Sequence, residues 1–106
     1  MAAATDPFDA LGDPTRRRVL QLLGTAAQSV GELADQLPVS RPAVSRHLRV
    51  LKEAGFVAEV PQGTRRVYHV RDEGLTAVQA YLDQVWGEAA ARLRLVAENT
   101  DPRGRR

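Results

Sequence analysis

The stretch from residue 40 to residue 55, SRPAVSRHLRVLKEAG, constrains this chain most, because it reads as one helix whose two faces want different surroundings. Ser40 is a good N-cap, since its hydroxyl can accept from an orphan backbone N–H. Pro42 falls in the first turn, where its missing N–H costs nothing, and Gly55 is placed to end the helix in the left-handed conformation. At about 100° per residue, Val44, Leu48 and Leu51 share one side, while Pro42, Ser45, Arg46, Arg49 and Glu53 share the other. A solvated helix face ordinarily mixes charge signs, but the first three turns carry Arg41, Arg46 and Arg49 with no acid on the outer face. One face suits a core and the other suits a polyanion.

With 106 residues the chain fits one domain, or one small domain with an added interface element, since a chain of this size buries only about two-thirds of its unfolded surface. The net charge is +2, yet residues 41–66 hold Arg41, Arg46, Arg49, Lys52, Arg65 and Arg66 against Glu53 and Glu59. Lys52 is the only lysine, so the positive charge is nearly all guanidinium, the group suited to bidentate contacts with phosphate or guanine. The absence of cysteine removes disulfides, thiolate metal sites and cysteine nucleophiles from consideration. No apolar run is long enough to span a bilayer, and residues 1–6 lack the basic start and apolar centre of a secretion signal, so no membrane partner and a cytoplasmic location are expected.

Residues 6–12 read as a short helix with Phe8 and Leu11 as its apolar contacts, stopped at Gly12. Asp13 caps the next helix and Pro14 opens it, with Val19, Leu20, Leu22 and Leu23 as its apolar residues. Arg16, Arg17 and Arg18 spread around its circumference, which assigns them to solvated surface or local ion pairs. Residues 24–28 read as a loop. Ser29 and Glu32 have the spacing of a capping box, opening a short helix with Val30, Leu33, Ala34 and Leu37 on one face and Pro38 at its end. Only Pro38 and Val39 separate it from the cap at Ser40, so two short amphipathic helices meet across a tight turn as a helix-turn-helix.

After Gly55 the period changes. Residues 56–60 and 65–70 are rich in β-branched and aromatic residues, and Pro61, Gln62, Gly63 and Thr64 between them supply turn chemistry. Helices followed by such a hairpin make a winged helix, so the expected fold is mainly α with a small β-hairpin, and Arg65 and Arg66 lie beside the wing's tip. The final helix opens at Asp72 or Glu73 and runs to about residue 97. Its stripe of Leu75, Val78, Leu82, Val85, Trp86, Ala89, Leu93 and Val96 lies within roughly 100° of arc. A stripe of about six turns exceeds what a small core needs, so it is expected to form a dimer interface together with the Phe8 and Leu11 helix. The domain is expected to span residues 1–98, followed by a disordered tail at 99–106.

Phe8-Asp9-Ala10-Leu11-Gly12-Asp13-Pro14-Thr15-Arg16-Arg17, Val30-Gly31-Glu32-Leu33-Ala34, Ser40 through Leu51, Ala54-Gly55-Phe56-Val57 and Gly63-Thr64-Arg65-Arg66-Val67-Tyr68 together resemble the ArsR family of dimeric winged-helix repressors, over roughly residues 6–96. Ser45-Arg46-His47-Leu48 followed by Leu51 and Ala54-Gly55 is the most specific part of the match. The resemblance implies that the helix over residues 41–53 enters the major groove of double-stranded DNA. It also implies that the hairpin touches flanking backbone or minor groove, and that the first and last helices form the dimer. The expected DNA contacts are then Ser40, Arg41, Pro42, Ala43, Ser45, Arg46, Arg49, Lys52, Gly63, Thr64, Arg65 and Arg66.

Many relatives release DNA when a metal binds, but the places of the family's cysteine-containing sensor segment hold Ala34, Asp35 and Gln36 here, and the terminal helix has Asp83 and Glu88 without a histidine. A metal sensor is therefore not expected, no cofactor is implied, and the effector stays unnamed. His47 falls beside Val44 and Leu51 and is expected to pack or bond between helices, and His69 to be ordinary surface or packing. No elbow glycines surround Ser45 and no phosphate-cradling glycine loop is present, so an enzyme is not expected. The expected function is a homodimeric, sequence-specific transcriptional regulator, a repressor on an inverted-repeat operator in its target promoters, with its own promoter one candidate; activation through the same contacts stays open. Two other uses of the basic face stay open: docking an acidic protein partner, and coating DNA without sequence preference.

Overall fold

In the computed structural model, which describes residues 5–99, the elements run α1 (Pro7–Leu11), α2 (Pro14–Thr25), β1 (Gln28–Ser29), α3 (Val30–Ala34), α4 (Arg41–Glu53), β2 (Val57–Gln62), β3 (Arg65–Val70) and α5 (Glu73–Asn99). The helix starts follow the caps. Asp6 Oδ1 accepts from Phe8 N at 2.8 Å, Asp13 Oδ1 from Arg16 N at 3.0 Å, and Ser40 Oγ from Ala43 N at 3.3 Å. The capping box is complete: Ser29 Oγ accepts from Glu32 N at 3.2 Å, and Glu32 Oε1 accepts from Ser29 N at 2.8 Å. Each bond satisfies a donor that the helix itself leaves without a partner.

Helix α4 ends as its sequence predicts. Gly55 takes φ 85°, Phe56 N donates to Leu51 O at 2.9 Å and Gly55 N to Lys52 O at 3.1 Å, the two bonds of a Schellman motif. The same cap seats the start of α5, because Arg71 N donates to Phe56 O and Gly74 N to Gly55 O, both at 2.8 Å. A side chain at Gly74 would put its Cβ 2.7 Å from Ala54 O and 2.9 Å from the Phe56 ring, so only glycine lets the two segments approach this closely.

The core gathers Ala10, Val19, Leu23, Leu33, Val44, Leu48, Leu51, Ala54, Phe56 and Val57. Val44, Leu48 and Leu51 are each 0% exposed, so α4 rests on its apolar face as its periodicity requires. Helix α5 extends well beyond this core. The radius of gyration is 19.2 Å, against about 13 Å for a rounded domain of this length.

Five boundaries differ from the sequence-based expectation. Helix α2 continues through Gly24 to Thr25. Gln28, expected in a loop, and Ser29, expected only as a helix cap, form a strand, so the wing is a three-stranded antiparallel sheet ordered β1-β3-β2. An N-cap residue is extended already, with Ser29 at φ −87° and ψ 169°, and pairing satisfies its backbone. Helix α3 stops at Ala34, after which Gln36 N donates to Leu33 O and Leu37 N to Ala34 O in tighter turns that still bring Leu37 against the core. The hairpin turn has two residues rather than four: Gln62 pairs with Arg65, and Gly63, at φ 66°, takes the first central position, where glycine carries no steric penalty. Pro61 is therefore within β2, tolerated because β2 is an edge strand. Helix α5 reaches Asn99, and the rest of the expected tail, residues 100–106, lies outside the described residues.

Candidate nucleic-acid interface

Anchored from below by Val44, Leu48 and Leu51, α4 turns Arg41, Pro42, Ser45, Arg46, Arg49 and Lys52 to solvent. Pro42, Ser45, Arg46 and Arg49 follow i, i+3, i+4, i+7 spacing and so share one stripe. Ala43 is half-buried at the edge of that stripe, and the exposed Ser40 is the helix cap. The basic start of α4 lies over α3, since a Cβ at Gly31 would come within 3.1 Å of Arg41 Nη2.

The expected contact residues fall into two electrostatic groups. Lys52 Nζ donates to Glu59 Oε1 at 2.7 Å and Arg66 Nη1 to Glu59 Oε2 at 2.6 Å, so one carboxylate on β2 ties the last turn of α4 to the wing. Arg65 Nη2 donates to Glu32 Oε1 at 2.8 Å, tying the wing's other face to the capping box of α3. Arg41, Arg46 and Arg49 have no carboxylate partner among the described residues, and Glu53, the acid nearest on α4, accepts instead from Thr5 Oγ1 at 2.9 Å. Gly63 and Thr64 are exposed at the wing's tip.

Proton equilibria follow the same division. Hydrogen bonds from Lys52 and then Arg66 hold the Glu59 carboxyl below its ordinary range, and Glu59 in turn raises Lys52 and Arg66. The Ser29 N–H, ahead of Arg65, does the same for the Glu32 carboxyl. Both acids were missed in the sequence as parts of this surface. Glu59 could have been found, because any in-register hairpin over these strands places it on one face with Arg66.

The triple arginine is local, as expected, but it binds carbonyls rather than acids. Arg16 Nε donates to Ala10 O at 2.8 Å and Nη2 to Asp9 O at 3.1 Å, while Arg17 Nη1 donates to Leu11 O at 2.7 Å, so these guanidinium groups cap the carbonyl end of α1. His47 is half-buried on α4 and His69 half-buried on β3, its Nδ1 3.1 Å from Val70 O.

The residues expected at a dimer interface do not all behave alike. Phe8, Leu75, Leu82, Val85, Trp86, Leu93 and Val96 are exposed, Trp86 at 57% and Leu93 at 70%. Leu11 and Val78 instead pack partly against the domain's own core, and Ala89 is half-buried. Tyr81, outside the expected stripe, meets Phe8 edge-on at 4.9 Å and 68°, joining α1 to α5. Leu11 and Leu75 also border an open, mainly apolar cavity of about 640 Å³ together with Leu20, Phe56 and Val70. Among the described residues, no group of three or more His, Cys, Asp or Glu could hold a metal, and no helix is long and apolar enough to cross a membrane.

Two amphipathic helices across a tight turn, the second with an open arginine face, and a basic hairpin behind them define a winged helix-turn-helix transcriptional regulator. A family model for a helix-turn-helix domain matches residues 11–60. The HTH-type transcriptional regulator Rv2034 of Mycobacterium tuberculosis is 51% identical over 82 residues, covering 77% of this chain and 77% of that protein. An ArsR-like transcriptional regulator from Rhodococcus sp. RHA1 superposes with a TM-score of 0.70 at 35% identity, over 90% of each chain. The homodimeric winged helix-turn-helix DNA-binding domain Mb0332 of Mycobacterium bovis, titled a possible ArsR-family regulator, gives a TM-score of 0.62 at 27% identity, over 77% of this chain and 76% of that one. Curated relatives at 36 to 38% identity include proteins named as transcriptional repressors. The chain belongs to the ArsR family of winged helix-turn-helix transcriptional regulators.

Proposed function

We propose that this regulator acts as a homodimeric, sequence-specific repressor, placing α4 of each protomer in successive major grooves of an inverted-repeat operator. The observation that carries the reading is the row of Arg46 and Arg49, exposed and without a carboxylate partner among the described residues, above fully buried Val44, Leu48 and Leu51. Guanidinium groups presented this way match the paired acceptors of guanine in the major groove. The wing residues Gly63, Thr64, Arg65 and Arg66, with Ser40, Arg41, Pro42, Ala43, Ser45 and Lys52, are assigned to backbone and flanking contacts.

Self-association is supported by the exposed aliphatic and aromatic run on α5, continued by Phe8 on α1, since a run of exposed apolar side chains marks an interaction surface. Two-fold symmetry then calls for half-sites about one helical turn, roughly 34–36 Å, apart. Repression follows from covering a promoter, and the repressors among the chain's relatives favour that sense. No metal is assigned a role, because the sensor positions hold Ala34, Asp35 and Gln36.

Selection of bound sites from a random duplex pool tests the proposal. An inverted repeat with half-sites one turn apart is expected. Salt-sensitive binding with no enriched sequence would instead indicate a DNA-coating protein, and no binding at low salt would indicate a protein-docking module.

A further inference from the structure

We propose that Glu59 is a specificity-determining residue, a carboxylate held between the recognition helix and the wing that suppresses sequence-independent attraction to phosphate by neutralising Lys52 and Arg66. The inference rests on the DNA-binding reading above. Each oxygen of Glu59 takes one cation, at 2.7 Å and 2.6 Å, so the carboxylate is shared rather than idle. Its side chain is 18% exposed whereas Lys52 and Arg66 are 51% and 70% exposed, so the anion sits inside and the cations face outward. Glu59 is fixed by the sheet, opposite Tyr68, and Arg66 lies two residues along β3 on the same face.

Exposed ion pairs of this kind contribute little to folding. Their effect on an approaching polyanion is larger. Two cations and one anion leave the trio with a single net positive charge, whereas Glu59→Gln would leave both cations uncompensated. Among the described residues Arg46 and Arg49, on the stripe assigned to base reading, have no carboxylate partner, and neither has Arg41 at the start of the helix. Phosphate contacts supply non-specific affinity and base contacts supply discrimination. Muting the former while leaving the latter open lowers total affinity and raises the ratio between operator and random DNA. Glu32 acts on Arg65 in the same sense, but it also completes the capping box, so Glu59 is the cleaner position to change.

The test uses the full chain, as wild type, Glu59→Gln and the triple variant Glu59→Gln, Lys52→Gln, Arg66→Gln. Each is titrated by fluorescence anisotropy against a selected operator and a scrambled duplex between 50 and 200 mM salt, with melting temperatures measured alongside. Glu59→Gln should bind the scrambled duplex more tightly at low salt and show a log–log salt slope steeper by about 0.9 to 1.8 per protomer, one to two further phosphates. Over that fourfold salt range this is roughly a 3- to 12-fold greater loss of affinity than wild type shows. The operator-to-scrambled ratio should fall, and the triple variant should return the slope to the wild-type value or below. Equal slopes for wild type and Glu59→Gln, both binding, would overturn the inference alone. Weaker binding by Glu59→Gln to both duplexes would overturn it in favour of a role in seating the wing. Absence of salt-sensitive binding by wild type would remove the DNA-binding reading and this inference with it.

Discussion

Arg46 and Leu48 stand two residues apart on α4 and should fail in opposite ways when replaced by alanine. Leu48 is 0% exposed within the core that includes Val44 and Leu51, so its truncation removes packed methyl groups and leaves a cavity that the helix can only partly close. Such a change costs about 2–5 kcal/mol, out of about 5–15 kcal/mol for a whole domain. At about 4–8 °C per kcal/mol, the melting temperature should fall by at least 8 °C or so. Arg46 is exposed and makes no ion pair or hydrogen bond among the described residues, so Arg46→Ala should stay within about 0.5 kcal/mol of wild type. Its effect should appear on DNA instead, as a loss of about 1–3 kcal/mol if it reads a base, roughly 5- to 150-fold in affinity for the operator. Thermal melts at fixed protomer concentration, paired with anisotropy on operator and scrambled duplexes, separate the two. A loss confined to the operator assigns Arg46 to a base, and an equal loss on both assigns it to phosphate. If Arg46→Ala melted as low as Leu48→Ala, or left both affinities unchanged, the two-faced account of α4 would be refuted.

Leu82→Asp puts a charge into the exposed apolar run of α5, where the single chain tolerates it but an interface does not, so it should sediment as a monomer; a variant that remains dimeric and folded would move the interface elsewhere. Gly74→Val forces atoms into the 2.7 Å approach to Ala54 O and should lower stability by about 1–3 kcal/mol, read as a reduced denaturant midpoint, with an unchanged midpoint contradicting the α4–α5 junction. Because the Glu59 and Glu32 carboxyls are held below the ordinary value of 4.5, their contribution is present above that pH and is lost as pH falls through the depressed values. Melting temperature should therefore decline below about pH 4.5, less steeply for Glu59→Gln than for wild type. Parallel acid limbs would show that these pairs do not bear on folding.

Strong local signals are legible in the residues alone. Ser40, Pro42 and Gly55 fixed α4 because caps act within one turn, and Val44, Leu48 and Leu51 fixed its buried face because an amphipathic period does not depend on knowing the neighbours. Features that arise between distant segments are not legible there. Strand β1 is two residues long and carries no periodicity, so it exists only through β3. The Glu32–Arg65 pair spans 33 positions and depends on how the wing lies against α3. Counting charge over residues 41–66 treated Lys52, Arg65 and Arg66 as open cations, whereas pairwise geometry gives each a carboxylate. The eight-residue stripe on α5 was legible as apolar, but its division between core, for Val78, and exposed surface, for Trp86 and Leu93, required the point at which α5 leaves the domain.

The arginine stripe of α4 is assigned to major grooves in two copies. Dimethyl sulfate footprinting on a selected operator tests this assignment most directly, since the reagent attacks guanine N7 on the major-groove edge that Arg46 and Arg49 are assigned to cover. Two protected clusters about one helical turn apart are expected, with protection lost in Arg46→Ala or Arg49→Ala while the fold persists. Guanines that stay fully reactive under saturating protein, or protection that survives both substitutions, would contradict the assignment.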